Sequence, residues 1–91
     1  MEDLELNEYP TAARLRASAK DVRGPIEDRW GVRLTVKGEF YKKGEKIPPG
    51  CRKLFVEIAG KDRQAVRRAK EDLFEAVEDV AIAAFYASKR K

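Results

Sequence analysis

The sequence predicts a single α+β domain in which three helices back a three-stranded sheet, in the order β-α-α-β-β-α. Three observations lead to this fold class. A chain of 91 residues has room for one domain. Three short segments alternate polar and apolar residues, as half-buried strands do, and three other segments repeat apolar residues at the spacing of amphipathic helices.

The first strand is predicted over residues 3–7, where leucines alternate with polar residues. Tyr9-Pro10 ends it, and Pro10 can open a helix because the first helical position needs no N–H donor. That helix runs from Thr11 to about Ala17. Three of its residues are expected to face the interior: Ala12, Ala13 and Leu15.

The second helix is predicted from about residue 19 to Trp30, and Gly31 fits a left-handed cap at its end. Ser18 and Asp21 fit a capping box at its start. The buried side repeats every four residues: Val22, Ile26 and Trp30. Gly24-Pro25 leaves two alternatives, a helix that contains the proline or one that starts late with Pro25 in its first turn.

In the second half of the chain, the spacing of apolar residues predicts two strands and a long helix. Residues 32–37 alternate as a strand, and residues 38–51, with three glycines and two prolines, predict a long loop. Residues 54–58 form the third strand, which Gly60 ends. Asp62 can cap a helix that continues into the 80s. We expect one domain over residues 1–88 and a basic tail at 89–91.

Composition argues against most enzymes. The chain has no histidine and a single cysteine, Cys51, so a zinc site, a histidine-dependent triad and an intrachain disulfide are not expected. Apolar residues make up 43%, enough for a core, but no apolar run is long enough to span a membrane. We therefore expect no enzymatic activity, no cofactor, no metal, no membrane contact and no small-molecule substrate.

The charge of the chain is segregated. The net charge is +4, but residues 1–9 carry −4, residues 10–61 carry +7, residues 62–88 carry −2 and the tail carries +3. This pattern predicts a polyanion-binding face with an acidic back, and a solvated basic surface without a partner is the alternative. The acidic residues of the last helix are interpreted as a solvated face: Glu75, Glu78 and Asp79.

Several stretches resemble a KH domain of type I. Ile26 holds the position of an isoleucine on the second helix of these domains, and Gly31-Val32-Arg33-Leu34 matches their Gly-Ala-x-Ile stretch. The positions of their Gly-x-x-Gly loop fall on Ala17-Ser18-Ala19-Lys20, which contains no glycine. The resemblance implies the β-α-α-β-β-α fold and a groove for about four unpaired nucleotides.

A narrower resemblance is to the atypical KH domain at the C-terminal end of the DEAD-box splicing helicases that act at the branch site. It covers residues 3 to about 80, without the helicase motor. It implies an excised domain or a stand-alone relative, in a nuclear protein of pre-mRNA splicing. The residues that carry it are Tyr9-Pro10, Ala13-Arg14, Ser18 to Asp21, Ile26, Leu34 to Gly38, Phe40-Tyr41, Gly50, Arg52 to Leu54, Ala65-Val66 and Ala69-Lys70.

Carried over residue by residue, the resemblance implies a set of ten RNA-binding residues. They are Arg14, Arg16, Ser18, Lys20, Arg23, Arg33, Lys37, Tyr41, Lys42 and Lys43. Because the loop lacks glycine, each of its residues places a Cβ where the sugar-phosphate would pack, so we expect weak binding of single-stranded RNA. The alternative is a docking module that binds a spliceosomal protein and no nucleic acid.

The segment Phe40-Tyr41-Lys42-Lys43 interleaves aromatic rings and cations, a pattern that can stack an unpaired base and hold its phosphate. We expect Phe40 to pack under the loop as part of the core. For Tyr41, core packing and base stacking both remain open.

Overall fold

The computed structural model describes residues 1–89 and has the predicted order of elements. In the sheet, the strand Phe55–Ala59 lies between the strands Glu2–Glu5 and Arg33–Lys37, and both strand pairs are antiparallel. The predicted α+β class is therefore confirmed; Arg90 and Lys91 of the predicted tail lie outside the described residues. The elements are β1 Glu2–Glu5, α1 Thr11–Ser18, α2 Lys20–Trp30, β2 Arg33–Lys37, β3 Phe55–Ala59 and α3 Arg63–Lys89.

The core lies between the sheet and the helices. Val56 and Ile58 of the central strand β3 are 0% exposed, and Leu34 of β2 pairs opposite Ile58. Helix α3 packs on them through residues spaced by three and four: Val66, Ala69, Leu73 and Val77. The predicted cap of α3 is confirmed, since the Asp62 carboxylate accepts a hydrogen bond from the Gln64 N–H at 2.9 Å.

Helix α1 buries a narrower stripe than expected. Ala13 and Ala17 are fully buried, whereas Ala12 is exposed and Leu15 is 66% exposed, so the inward orientation predicted for these two residues is wrong. Two alanines four residues apart form the contact because α1 packs closely on α3. Leu15 lies on the opposite side of the helix and reaches solvent.

A single residue, Ala19, joins α1 to α2 in an extended conformation (φ −73°, ψ 138°). The predicted capping box is wrong because Ser18 is the last residue of α1, and its hydroxyl donates a hydrogen bond to the Arg14 carbonyl at 3.1 Å. Asp21 forms an ion pair with Arg16 at 3.5 Å instead. Among residues 1–89 only glycines have positive φ, so this junction needs no glycine for its backbone conformation.

Helix α2 runs through Pro25, which decides between the two alternatives that the sequence left open. The proline removes the N–H that would bond the Asp21 carbonyl, and Asp21 is exposed, so water can replace that bond. The helix ends as predicted at Gly31, which has φ 64° and ψ 38° and whose N–H donates to the Glu27 carbonyl at 2.8 Å.

Candidate nucleic-acid interface

The long loop between β2 and β3 is held to the start of the chain by Asn7. The Asn7 side chain donates a hydrogen bond to the Tyr41 carbonyl at 2.9 Å and accepts one from the Tyr41 N–H at 2.8 Å. Asn7 is only 5% exposed, so water has little access to this contact. At the base of the loop, Gly38 has φ 78° and a Cβ there would lie 2.7 Å from the Arg52 carbonyl oxygen, so only glycine fits.

Of the two aromatic rings of the loop, Tyr41 lies in the interior, which decides the alternative that the sequence left open, and the interior position expected for Phe40 is wrong. Tyr41 is buried, and burial together with the neighbouring Cys51 thiol raises the pKa of its hydroxyl to about 12. Tyr41 is therefore not accessible as a stacking surface, and Phe40, expected in the core, is 43% exposed. The two bonds to Asn7 hold the backbone of Tyr41 in the position at which its side chain is buried and that of Phe40 is exposed.

Phe40 lies under the guanidinium group of Arg14. The Arg14 Cζ atom is 3.7 Å from the centre of the ring, close enough for a cation–π contact. Two hydrogen bonds orient the guanidinium, one to the Tyr9 carbonyl at 3.3 Å and one to the Thr11 hydroxyl at 2.9 Å. The surface thus offers an exposed aromatic ring with a fixed cation stacked on it, a combination that can hold a base and its phosphate.

Arg23 connects the junction of α1 and α2 to the edge strand β2. Its Nε donates to the Ser18 carbonyl at 3.1 Å and its Nη1 to the Leu34 carbonyl at 3.4 Å. The Leu34 N–H donates to the Glu27 carboxylate at 2.8 Å, so two side chains of α2 occupy both backbone groups of Leu34. Along an edge strand the backbone N–H and C=O groups of every second residue point away from the neighbouring strand. Those of Val36 therefore point to the open edge of the sheet, as those of Leu34 do.

Four of the ten predicted site residues lie close together around this junction and form what we call the junction cluster: Arg14, Ser18, Lys20 and Arg23. Ser18 contacts both Arg14 and Arg23 through hydrogen bonds. Lys20 is exposed and shares a small open pocket with Arg23, Gly24 and Glu27. The Glu27 carboxylate opposes phosphate binding here, since it is a negative charge within a basic cluster.

The other predicted site residues lie elsewhere. Arg33 and Lys37 alternate with the buried Leu34 and therefore lie on the outer face of the sheet, away from the helices, where Lys37 pairs with Glu57 at 3.0 Å. Arg16 lies on the side of α1 that faces α3, beside Asp21. Lys42 and Lys43 are exposed in the loop that Asn7 holds.

Three residues that shape this surface were absent from the predicted set: Asn7, Glu27 and Phe40. Asn7 falls at an outward position of the alternating first strand, so no local signal marks it as buried. Glu27 follows the buried Ile26, and nothing in the neighbouring sequence indicates that its carboxylate accepts a hydrogen bond from Leu34 of β2, seven residues later. Phe40 did carry a signal, since it precedes Lys42 and Lys43, but nothing in the loop sequence indicated that its ring is exposed.

Within residues 1–89 no helix is both long enough and apolar enough to cross a membrane. The same residues contain no group of three or more histidine, cysteine or acidic side chains arranged to hold a metal ion.

The chain is similar to part of several RNA helicases. It is 37% identical over 78 residues to DEAD-box ATP-dependent RNA helicase 42 of Arabidopsis thaliana and 35% identical over 78 residues to helicase 45 of the same plant. It is 26% identical over 81 residues to the probable ATP-dependent RNA helicase DDX46 of Homo sapiens. These alignments cover 86%, 86% and 89% of this chain, but only 7%, 8% and 8% of the helicases.

No family model matches the chain, and no solved structure matches it either. The relationship therefore depends on the alignments alone, which run through most of this sequence. The chain is homologous to a short region, 78 to 81 residues long, of DEAD-box ATP-dependent RNA helicases.

Proposed function

We propose that the chain is an atypical KH-type module that binds single-stranded RNA weakly, without enzymatic activity of its own. Its setting is an RNA helicase that acts in nuclear pre-mRNA splicing. The observation that carries the proposal is the junction cluster next to the exposed Phe40–Arg14 pair. The order β-α-α-β-β-α, which KH domains of type I share, and the homology to a region of RNA helicases support it.

The junction cluster provides the contact for phosphate. Arg14, Lys20 and Arg23 supply three positive charges around the start of α2. No side chain caps this helix start, so its first N–H groups can donate to an anion. The extended Ala19 keeps the connection short without glycine, although Cβ atoms limit how closely a sugar-phosphate backbone approaches.

Phe40 provides the contact for a base. Stacking of one base on an aromatic side chain contributes about 1–3 kcal/mol whatever the base, so this contact favours unpaired RNA without specifying its sequence. The backbone of Val36 at the open edge of β2 offers hydrogen bonds to a second base. Glu27 and the missing loop glycines work against the contact, and for this reason we propose weak binding.

A protein-docking module is the second candidate, and one observation favours it. Arg23 and Glu27 already occupy the backbone of Leu34 at the edge where a KH groove would receive bases. In this alternative the surface has no affinity for RNA, and the partner is a spliceosomal protein. Salt dependence separates the two candidates because only phosphate contacts release counterions.

The test measures the affinity for a single-stranded RNA of about eight nucleotides, twice the length that a KH groove accommodates, at several salt concentrations. With three cations in contact, log K should fall with log salt at a slope of roughly −2, about −0.7 per phosphate. Lys20→Ala should reduce both affinity and slope. Lys61→Ala removes an equally exposed charge outside the cluster and serves as the control. Equal effects of the two substitutions would contradict the proposed site.

A further inference from the structure

A second surface lies between α2 and α3, on the side that Arg16 faces. It is an open groove of about 370 Å³. Its apolar lining comes from the buried side chains of Val22 and Ile26 together with Ala76. The charged lining has six members: Arg16, Asp21, Arg29, Asp72, Glu75 and Asp79. We call this surface the acidic groove.

The charges in the acidic groove do not cancel. Four carboxylates face two guanidinium groups, which leaves a net charge of −2 on a chain whose total charge is +4. Each arginine is already committed to one carboxylate, Arg16 to Asp21 at 3.5 Å and Arg29 to Asp72 at 3.4 Å. The excess negative charge therefore belongs to Glu75 and Asp79, which lie four residues apart on α3 and are both exposed.

Asp72 is held in place by more than its ion pair. Its Oδ2 atom also accepts a hydrogen bond from the Trp30 indole N–H at 2.7 Å. This contact ties the end of α2 to α3 and keeps the two walls of the groove together. The groove is therefore a preformed feature of the packing between the helices, and a ligand does not have to open it.

The groove continues into an apolar surface toward the end of α3. Ile82 is 51% exposed and Tyr86 is 65% exposed. They follow Asp79 by three and seven residues, so they continue the same side of the helix. Along this side the described part of α3 presents carboxylates first and apolar side chains after them. A ligand that matches it needs cationic groups and apolar groups on one face.

We propose that the acidic groove binds a basic amphipathic peptide segment of a partner protein. Lysine or arginine side chains of the segment would pair with Glu75 and Asp79, while its apolar side chains pack on the exposed Ile82 and Tyr86. Charge complementarity selects this occupant, because a net negative groove repels RNA and attracts a polycation. The junction cluster faces another side of α2, so RNA and the peptide can bind together.

The proposal predicts that a synthetic amphipathic peptide of about five helical turns, with leucine on one face and arginine on the rest, binds the chain at low salt. The double variant Glu75→Lys/Asp79→Lys should bind it about tenfold more weakly, since two attractive pairs become repulsive. Its matched control is Glu5→Lys/Glu71→Lys, which makes the same change of net charge at exposed positions outside the groove. A peptide with glutamate in place of arginine should not bind.

Three outcomes would overturn the proposal: no binding of the basic peptide at millimolar concentration, equal weakening by the two double variants, or equal binding of the acidic peptide. Circular dichroism of each variant establishes that it is folded before binding is measured. RNA affinity is measured on the same proteins, and the Glu75→Lys/Asp79→Lys variant should retain it. Failure of the peptide site is therefore distinguishable from failure of the proposed RNA contact.

Discussion

Replacing Asn7 with alanine should release the long loop and destabilise the domain. The substitution removes two hydrogen bonds, at 2.8 and 2.9 Å, between the Asn7 side chain and the Tyr41 backbone. Each such bond contributes about 1 kcal/mol net, and each buried group left without a partner costs about 1–3 kcal/mol. Because water has little access to this site, we expect a loss of about 3 kcal/mol, a large share of the stability of a small domain.

Urea unfolding at 25 °C measures this loss, with Asn7→Asp as a second variant. Aspartate can still accept a hydrogen bond from the Tyr41 N–H, but it places a charged oxygen against the Tyr41 carbonyl where water has little access, so at neutral pH its loss should equal or exceed that of alanine. Gln64→Ala, at an exposed position, should change the free energy of unfolding by less than about 0.5 kcal/mol. A loss of less than about 1 kcal/mol in Asn7→Ala would refute the claim that these two bonds hold the loop.

Substitutions of Phe40, Glu27 and Tyr41 should each have a measurable effect. Phe40→Ala should weaken binding of single-stranded RNA by about 5- to 100-fold, because it removes the ring on which a base stacks. Phe74 on α3 has a similarly exposed ring, and Phe74→Ala should leave the affinity unchanged. Equal effects of the two substitutions would contradict base stacking on Phe40. Glu27→Gln should strengthen RNA binding severalfold in the same assay, because it removes a negative charge and keeps an acceptor for the Leu34 N–H. Weaker binding of this variant would contradict the conclusion that the Glu27 carboxylate opposes phosphate binding. Burial raises the pKa of Tyr41 from 10.0 to about 12, so the folded state favours the protonated hydroxyl. The stability that this preference contributes is fully present below pH 10 and is lost as the pH rises through 12. Ultraviolet absorbance titration of the wild type minus Tyr41→Phe should show the Tyr41 step near pH 12, and a step near 10 would mean that the ring is solvated.

Local patterns in the sequence predicted the elements well because the signals of strands and helices are local. The first strand is an instructive case, since alternation predicted it through Asn7 but the observed strand ends at Glu5. Backbone pairing continues one residue further, with the Leu6 N–H donating to the Leu54 carbonyl at 2.9 Å. The chain then turns, and Asn7 is buried against the long loop. The strand was predicted correctly, but its end was not, because Asn7 bonds to Tyr41, which lies 34 residues further along the chain.

The candidate site was less predictable because contacts between distant segments determine it. Ser18 had the local signature of a cap, but a junction of one residue leaves it inside α1, where its hydroxyl bonds back to the Arg14 carbonyl. No pattern within the loop indicates which ring of Phe40-Tyr41 is buried, and the backbone of Tyr41 is bonded to Asn7, a residue 34 positions away. Arg16 follows Arg14 by two residues, so the turn of the helix directs it toward α3 and the acidic groove.

An amide chemical-shift titration with short single-stranded RNA, at low and at physiological salt, would show whether the junction cluster and Phe40 form an RNA-binding surface. We predict shifts at the four residues of the junction cluster, at Val36 and at residues 38–43 that diminish as salt rises, with Glu75 and Asp79 of the acidic groove unaffected. The absence of shifts at millimolar RNA and low salt, or shifts confined to Arg33 and Lys37 on the outer face of the sheet, would contradict the proposed RNA-binding surface.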